Sequence, residues 1–139
     1  MTTPEEAKAA GELGDYGPLV ALLRDGSEGE QQQAASALAN LAAKADQVAI
    51  AAGTIEPLVE LVRGGGEGSQ KEAAWVLFML AFTNADNRAA IAAAGAIEPL
   101  VAVARGGSEE GKAMAAGALE MLAAKKDEKE AMGRLGYMP

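Results

Sequence analysis

The sequence predicts an all-α solenoid, a stack of about three helical repeats followed by part of a fourth. One segment recurs, since residues 53–59 and 95–101 are nearly identical and residues 14–20 are a weaker copy. The Pro residues of the three copies are separated by 39 and 42 residues, a period typical of helical repeats. Half of the residues are hydrophobic but only 4% are aromatic, because Ala dominates, and small side chains suit closely stacked helices.

The recurring segment has the residues of a sharp turn between two helices. Its Gly can adopt the left-handed conformation just past a helix end, and its Pro fits the first turn of the next helix. A cation, Arg24, Arg63 or Arg105, follows near the end of this short helix, where it complements the helix dipole. Each repeat is therefore predicted to contain a first helix, a Gly turn, a short second helix, a loop and a long third helix.

The first repeat is expected to span residues 3–44. Thr3 is placed to cap the first helix, and the short second helix is expected over about 18–24. Ser27 is the predicted cap of the long third helix, because Glu30 three residues later completes a capping box.

The second repeat is expected at 45–83 and the third at 84–125. In the second repeat, the first helix is expected over about 46–52. The Gly-rich stretch 64–68 is interpreted as a loop, so the long helix is expected to begin at about Ser69.

The last residues, 126–139, are interpreted as a partial fourth repeat. A helix is expected over about 127–135, and Gly136 stands where the next Gly turn would follow. The whole chain, 1–139, is predicted to form a single repeat domain.

The residue types argue against catalysis. The chain has no Cys and no His, which removes thiol nucleophiles, disulfides, the usual zinc ligands and the usual general base. Its carboxylates are scattered; Glu109 and Glu110, for example, suit the first turn of a helix. An enzyme of the lyase type built on helical repeats is the catalytic alternative. We expect a protein that is not an enzyme, with no cofactor and no metal.

The charge of the chain bears on its partners. A net charge of −8 disfavours nucleic acid but favours steering of a basic peptide or protein. The acidic N-terminal residues do not have the pattern of a signal peptide, and no run approaches the roughly 20 apolar residues of a membrane span. The expectation is an intracellular protein, cytoplasmic or nuclear, without a membrane partner.

Four segments carry a resemblance to a known family. They are Gly-Ala-Ile-x-Pro-Leu-Val at 95–101, Arg-Gly-Gly-Ser-Glu-Glu at 105–110, Glu-Ala-Ala-Trp-Val-Leu at 72–77 and Asp-Asn-Arg-Ala-Ala-Ile at 86–91. The repeat resembles the armadillo repeat, the three-helix unit of beta-catenin-like and importin-alpha-like proteins. The resemblance implies a right-handed solenoid whose usual role is to bind other proteins.

The resemblance also implies where binding residues lie. In armadillo proteins the third helices line a concave groove, with a Trp facing it and an Asn four residues later that holds a peptide backbone. The Trp position is occupied here by Ser36, Trp75 and Gly117, and the Asn position by Asn40, Met79 and Met121. A regular ladder of Trp and Asn is therefore absent, which weakens any prediction of import-signal recognition.

The middle repeat offers an apolar alternative to that ladder. Trp75, Met79 and Phe82 recur on one helix face, with Phe78 at its edge. One interpretation is an aromatic groove with acidic flanks; the other is that Trp75 and Phe78 fill the core between Ala-rich helices. The candidate groove residues are Ser36, Asn40, Glu72, Trp75, Met79, Phe82, Gly117, Glu120 and Met121.

These observations predict a protein-binding or scaffolding module that recognises a basic or apolar segment of a partner. The alternative is a structural fragment of a longer solenoid that self-associates through its repeat ends. The last long helix is apolar, and only residues 127–135 follow to cover it. A homodimer through the C-terminal repeat is therefore expected, with Met121, Met132 and Leu135 at the contact.

Overall fold

The computed structural model of the chain describes residues 2–43, 50, 53–82 and 84–138. Within these residues there are helices and no strands. The expected helix over 46–52 lies outside the described residues except for Ile50, which is buried. The described helices are α1 (Pro4–Glu12), α2 (Gly17–Asp25), α3 (Glu28–Ala42), α4 (Ile55–Gly64), α5 (Glu67–Phe82), α6 (Ala85–Ala93), α7 (Ile97–Gly106), α8 (Glu109–Leu122) and α9 (Lys126–Arg134).

Several helices begin with side-chain caps, and those at Thr3 and Ser27 are the ones that the sequence predicts. The Thr3 hydroxyl accepts a hydrogen bond from the Glu6 N–H, and the Glu6 carboxylate accepts one from the Thr3 N–H, each at 3.2 Å. Ser27 and Glu30 form the same reciprocal pair at the start of α3. At the start of α8, the Ser108 hydroxyl accepts from a backbone N–H at 3.0 Å. These caps satisfy donors that a helix start leaves unpaired.

The Gly turns are repeated with the same geometry. After the first helix of the third repeat, the Gly95 N–H donates to the Ala92 carbonyl at 3.0 Å, and the Ala96 N–H donates to the Ile91 carbonyl at 3.4 Å. This is the hydrogen-bond pattern of a Schellman motif, which needs a left-handed residue. The turn glycines with positive φ are Gly14 (92°), Gly53 (86°), Gly95 (83°) and Gly136 (75°).

Two boundaries differ from the expectation. Helix α5 begins at Glu67, not at Ser69, so the predicted loop 64–68 is too long. Glu67 lies in the first helical turn, where its charge complements the helix dipole and offsets the poor helix propensity of Gly68. The third repeat is expected to end at 125, but its long helix α8 ends at Leu122, because Lys125 adopts the extended conformation that precedes α9.

The helices stack as layers that repeat along the chain. The long helices α3, α5 and α8 pack side by side in that order, and each packs against the short helix of its own repeat, α2, α4 or α7. The core between these layers repeats as well. One buried Leu recurs on the short helices and one on the long helices, all at 0% exposure: Leu19, Leu58 and Leu100, and Leu38, Leu77 and Leu119.

Two polar contacts also recur and connect the layers. The side-chain amide of Gln31 donates to the Leu23 carbonyl at 3.0 Å, and Gln70 donates to the Val62 carbonyl in the same way at 3.1 Å. These bonds join the long helix to the last turn of its short helix, where carbonyls lack partners within the helix.

Candidate functional site

The candidate residues lie on the long helices α3, α5 and α8, and none of them is buried. We call the surface formed by the solvent-accessible residues of these helices the long-helix face. Asn40, Phe82 and Glu120 are exposed on it, and the other candidates are partly buried. Those others are Ser36, Glu72, Trp75, Met79, Gly117 and Met121.

The middle of the long-helix face is aromatic. The Trp75 and Phe78 rings have their centroids 5.7 Å apart, and the Phe78 and Phe82 rings 6.0 Å apart, both in edge-to-face arrangements. This geometry is favourable because it brings the positive ring edge to a negative ring face. With Met79, the three rings line a depression of about 250 Å³. We call Trp75, Phe78, Met79 and Phe82 the aromatic patch.

The aromatic patch is partly core and partly surface, so it matches neither of the two interpretations drawn from the sequence completely. The opposite side of α5 is core, since Leu77 and Leu80 have 0% exposure. Trp75 and Phe78 pack against that core and also line the depression, so they are neither fully buried nor free of the core. Phe82 is 59% exposed and belongs to the surface.

Gly117 contributes space to the site instead of a contact surface. A Cβ atom at Gly117 would lie 3.1–3.2 Å from three atoms of the Phe78 ring. Helix α8 therefore approaches α5 closely at this point, and the ring of Phe78 occupies the volume that a side chain would take. The register of the repeats places Gly117 at the Trp position but gives no indication that Phe78 fills it.

An ion pair that was not predicted lies beside Trp75. The Lys71 ammonium donates to a Glu110 carboxylate oxygen at 3.2 Å and lies 3.8 Å from the carboxylate of Glu72. The hydrogen bond and the charge of Glu110, with a smaller effect of Glu72, raise the pKa of Lys71 above its ordinary value of 10.5. Lys71 and Glu110 are 39 residues apart, close to the spacing of 42 residues between their two repeats, and this separation is the signal that could have paired them.

The two ends of the long-helix face differ from its middle. On α3, Ser36 and Asn40 are polar and have no aromatic neighbour in their own helix. On α8, Met121 is partly buried against the core and Glu120 is exposed. The concentration of large apolar side chains is thus a property of the middle repeat.

The C-terminal residues proposed for self-association occupy different environments. Met132 has 0% exposure, so the prediction that it contacts a second chain is wrong. Its side chain is buried in the core as α9 packs against α7, and Arg105 donates to the Leu135 carbonyl at 2.6 Å across that junction. Leu135 is 36% exposed and Met121 is partly buried.

In the part of the chain that the structure describes, no group of three or more Asp or Glu side chains is placed to hold a metal ion. No single helix there is long and apolar enough to cross a membrane. Helices α6 and α7 together reach that length and composition, but they are bent by 86° relative to each other.

Several solved structures similar to this one are designed or engineered proteins. No protein-family model and no curated protein sequence matches the chain. A designed armadillo repeat protein in complex with the peptide (KR)4 is 31% identical, with a TM-score of 0.78 over 96% of this chain and 58% of that one. Computationally designed armadillo repeat proteins for modular peptide recognition are 31% identical, with a TM-score of 0.79 and the same coverage.

A third similar structure, described as an engineered protein, is 33% identical with a TM-score of 0.79, over 96% of this chain and 56% of that one. The chain thus spans a little more than half of the length of these structures. Together with the repeated helices and turns, the similarities establish an armadillo-like repeat solenoid and confirm the predicted fold class.

Proposed function

We propose that this armadillo-like solenoid is a peptide-binding scaffold, and that a segment of a partner protein binds its long-helix face. The single observation that carries the proposal is the aromatic patch, in which three edge-to-face rings surround a depression at the surface. Trp is among the residue types enriched at the few positions that carry most of the binding energy of an interface.

Similarity to designed proteins supports the general role. One of them is described as made for modular peptide recognition, and another is in complex with the peptide (KR)4. The present chain has a comparable repeat architecture, and its long-helix face carries different residues in each repeat, such as Ser36, Trp75 and Gly117. A rigid stack of helices with one variable surface is well suited to hold an extended segment.

The chemistry of the patch favours an apolar side chain on the bound segment. The depression is lined by Trp75, Phe78, Met79 and Phe82, none of which carries a charge. An aliphatic or aromatic side chain would gain free energy by leaving water for this surface. Asn40 and Glu120 are exposed on either side, on α3 and α8, where they are available for hydrogen bonds to the rest of the segment.

The test is Trp75→Ala, with binding measured by calorimetry against a library of short peptides that carry one apolar residue. We expect the substitution to weaken binding by about 2 kcal/mol, because it removes the largest ring of the patch. The matched control is Leu13→Ala, since Leu13 is 89% exposed but follows α1 and is not part of the long-helix face. The control is expected to bind as the wild type does.

Three results would contradict the proposal. One is equal binding by Trp75→Ala and the wild type, and another is a loss of binding explained by unfolding of the variant in circular dichroism. The third is a wild type that binds no peptide and sediments as a dimer. That outcome would favour the alternative of a self-associating repeat fragment, for which the exposed Leu135 and Met138 provide apolar surface.

A further inference from the structure

Trp75 separates two depressions of different character. One is the apolar depression of the aromatic patch. The other, of about 190 Å³, is lined by Lys71, Glu72, Trp75, Glu110 and Met114. An indole ring beside two carboxylates is a favourable environment for a cationic side chain, through cation–π attraction and charge-assisted hydrogen bonds. Lys71 also lines this depression, and its ammonium already pairs with the two carboxylates.

The placement of Lys71 depends on two helices of successive repeats. Lys71 and Glu72 are on α5, whereas Glu110 is on α8, and the contact at 3.2 Å joins the two helices beside the Trp75 ring. The side chain of Lys71 is 30% exposed and that of Glu72 is 20% exposed, so both lie against the protein surface. One ammonium therefore partly neutralises two carboxylates, and the depression retains a formal charge of about −1.

We infer that Lys71 is a specificity-determining residue, which occupies the cation position beside Trp75 and thereby disfavours a basic side chain there. The inference rests on the proposed function, because it concerns which residue of a bound segment is accepted next to the aromatic patch. An incoming Arg or Lys would have to displace an ammonium that is tethered to the protein and so has a high effective concentration. An apolar side chain in the neighbouring depression meets no such competition.

This local effect is distinct from the charge of the whole chain. A net charge of −8 attracts basic segments from a distance and raises the rate of encounter. Lys71 acts only at contact, on the residue that would lie beside Trp75. A partner selected by both effects would be basic in its flanks and apolar where it meets the aromatic patch.

The test uses two blocked heptapeptides that differ at one central position, Leu in one and Arg in the other, with Leu as the following residue in both. Binding is followed by the fluorescence of Trp75, the only Trp in the sequence. We expect Lys71→Gln to increase affinity for the Arg peptide by about threefold, because an incoming guanidinium then finds both carboxylates free. Affinity for the Leu peptide is expected to stay within about twofold.

The matched control is Lys112→Gln. Lys112 is also paired with a carboxylate, Glu109 at 3.5 Å, but it does not line the depression beside Trp75. Both variants lower the net charge equally, so an effect of long-range attraction alone would appear in both. A second variant, Lys71→Met, keeps the apolar stem of the side chain and is expected to behave as Lys71→Gln does.

The inference is overturned if Lys71→Gln and Lys71→Met leave affinity for the Arg peptide unchanged or undetectable, or if Lys112→Gln raises it equally. Failure of the proposed function is a different result, namely a wild type that does not bind the Leu peptide. A Lys71 variant with a higher affinity for the Arg peptide than the wild type would still support the inference in that case. Conversely, Trp75-dependent binding of the Leu peptide with no effect of Lys71 would leave only the proposed function standing.

Discussion

The short helices and the long-helix face belong to the same repeats but differ in how strictly they repeat. The short helices α2, α4 and α7 carry a buried Leu at one equivalent position, Leu19, Leu58 and Leu100. Equivalent surface positions on α3, α5 and α8 carry Ser36, Trp75 and Gly117.

This difference separates the residues that determine the fold from those that distinguish this chain from a generic solenoid. A repeated apolar position is needed in every repeat, because each repeat buries its core against the next. A position that varies among the repeats is free of that requirement. Trp75, Phe78 and Phe82 are of the second kind, which is why they are the best candidates for a specific contact.

The largest expected change in the free energy of unfolding is for a residue that repeats, and it is compared with the change for a residue that varies among the repeats. Leu58→Ala is expected to lower the free energy of unfolding by about 2–5 kcal/mol, because it leaves a cavity at a side chain with 0% exposure. Phe82→Ala is expected to cost less than about 1.5 kcal/mol, since Phe82 is 59% exposed and loses mainly its contact with Phe78. Urea unfolding followed by circular dichroism measures both. Equal losses would show that the aromatic patch is part of the core.

A second comparison concerns two glycines. Gly95→Ala is expected to destabilise the chain by about 1–2 kcal/mol, because the turn holds this residue at φ 83°. Gly133→Ala is the matched control, since Gly133 lies inside α9 with open space around the position of a Cβ atom. There Ala is expected to stabilise the helix by up to about 1 kcal/mol. Two changes of the same sign in thermal unfolding would contradict the assignment of the repeated turns.

The smallest expected effect concerns two shifted pKa values. The backbone N–H of Thr3, followed by its hydroxyl, lowers the pKa of Glu6 below its ordinary value of 4.5. Glu6 therefore contributes stability above pH 4.5 that is lost as the pH falls through the lowered pKa. The contribution of Lys71 to stability changes with pH in the opposite direction, because the pKa of Lys71 is raised. This contribution is complete below pH 10.5 and is lost as the pH rises through the raised pKa.

Carboxyl and amine titrations by NMR can distinguish these two origins. Glu110→Gln is expected to lower the pKa of Lys71 toward 10.5 and to leave the pKa of Glu6 unchanged. Thr3→Ala is expected to raise the pKa of Glu6 only part of the way, because the backbone N–H remains. If Glu110→Gln left the pKa of Lys71 unaltered, the contact between α5 and α8 would not be the cause of the shift.

The parts of the fold that the sequence predicted depend on local contacts. The caps at Thr3 and Ser27 and the left-handed turn at Gly95 involve residues no more than five positions apart. Helix boundaries followed from the same local chemistry, except at the end of α8 and at the start of α5, where Gly68 was given too much weight as a helix breaker. The repeat period then supplied the stacking without any further information.

The features of the candidate site that the sequence missed depend on contacts between repeats. Met132 has the same local sequence whether it faces a partner or the core, and only the packing of α9 decides which. The position of Phe78 over Gly117 depends on how closely α5 approaches α8. The pairing of Lys71 with Glu110, 39 residues apart, could have been predicted from the approximate repeat spacing, but many charged pairs have a similar separation.

Among the described residues, the arginines at the end of two short helices each form a hydrogen bond with the repeat that follows, and not with the one that precedes. Arg63 donates to the Gly95 carbonyl at 3.5 Å, and Arg105 donates to the Leu135 carbonyl, so each of these short helices holds the Gly turn of the repeat that follows it. Such a chain behaves as a one-dimensional lattice, in which cooperativity arises at the junctions between neighbours. A ligand lying across α5 and α8 would strengthen one junction directly. The two repeats joined by the ligand would then unfold together, whereas without the ligand one could unfold before the other.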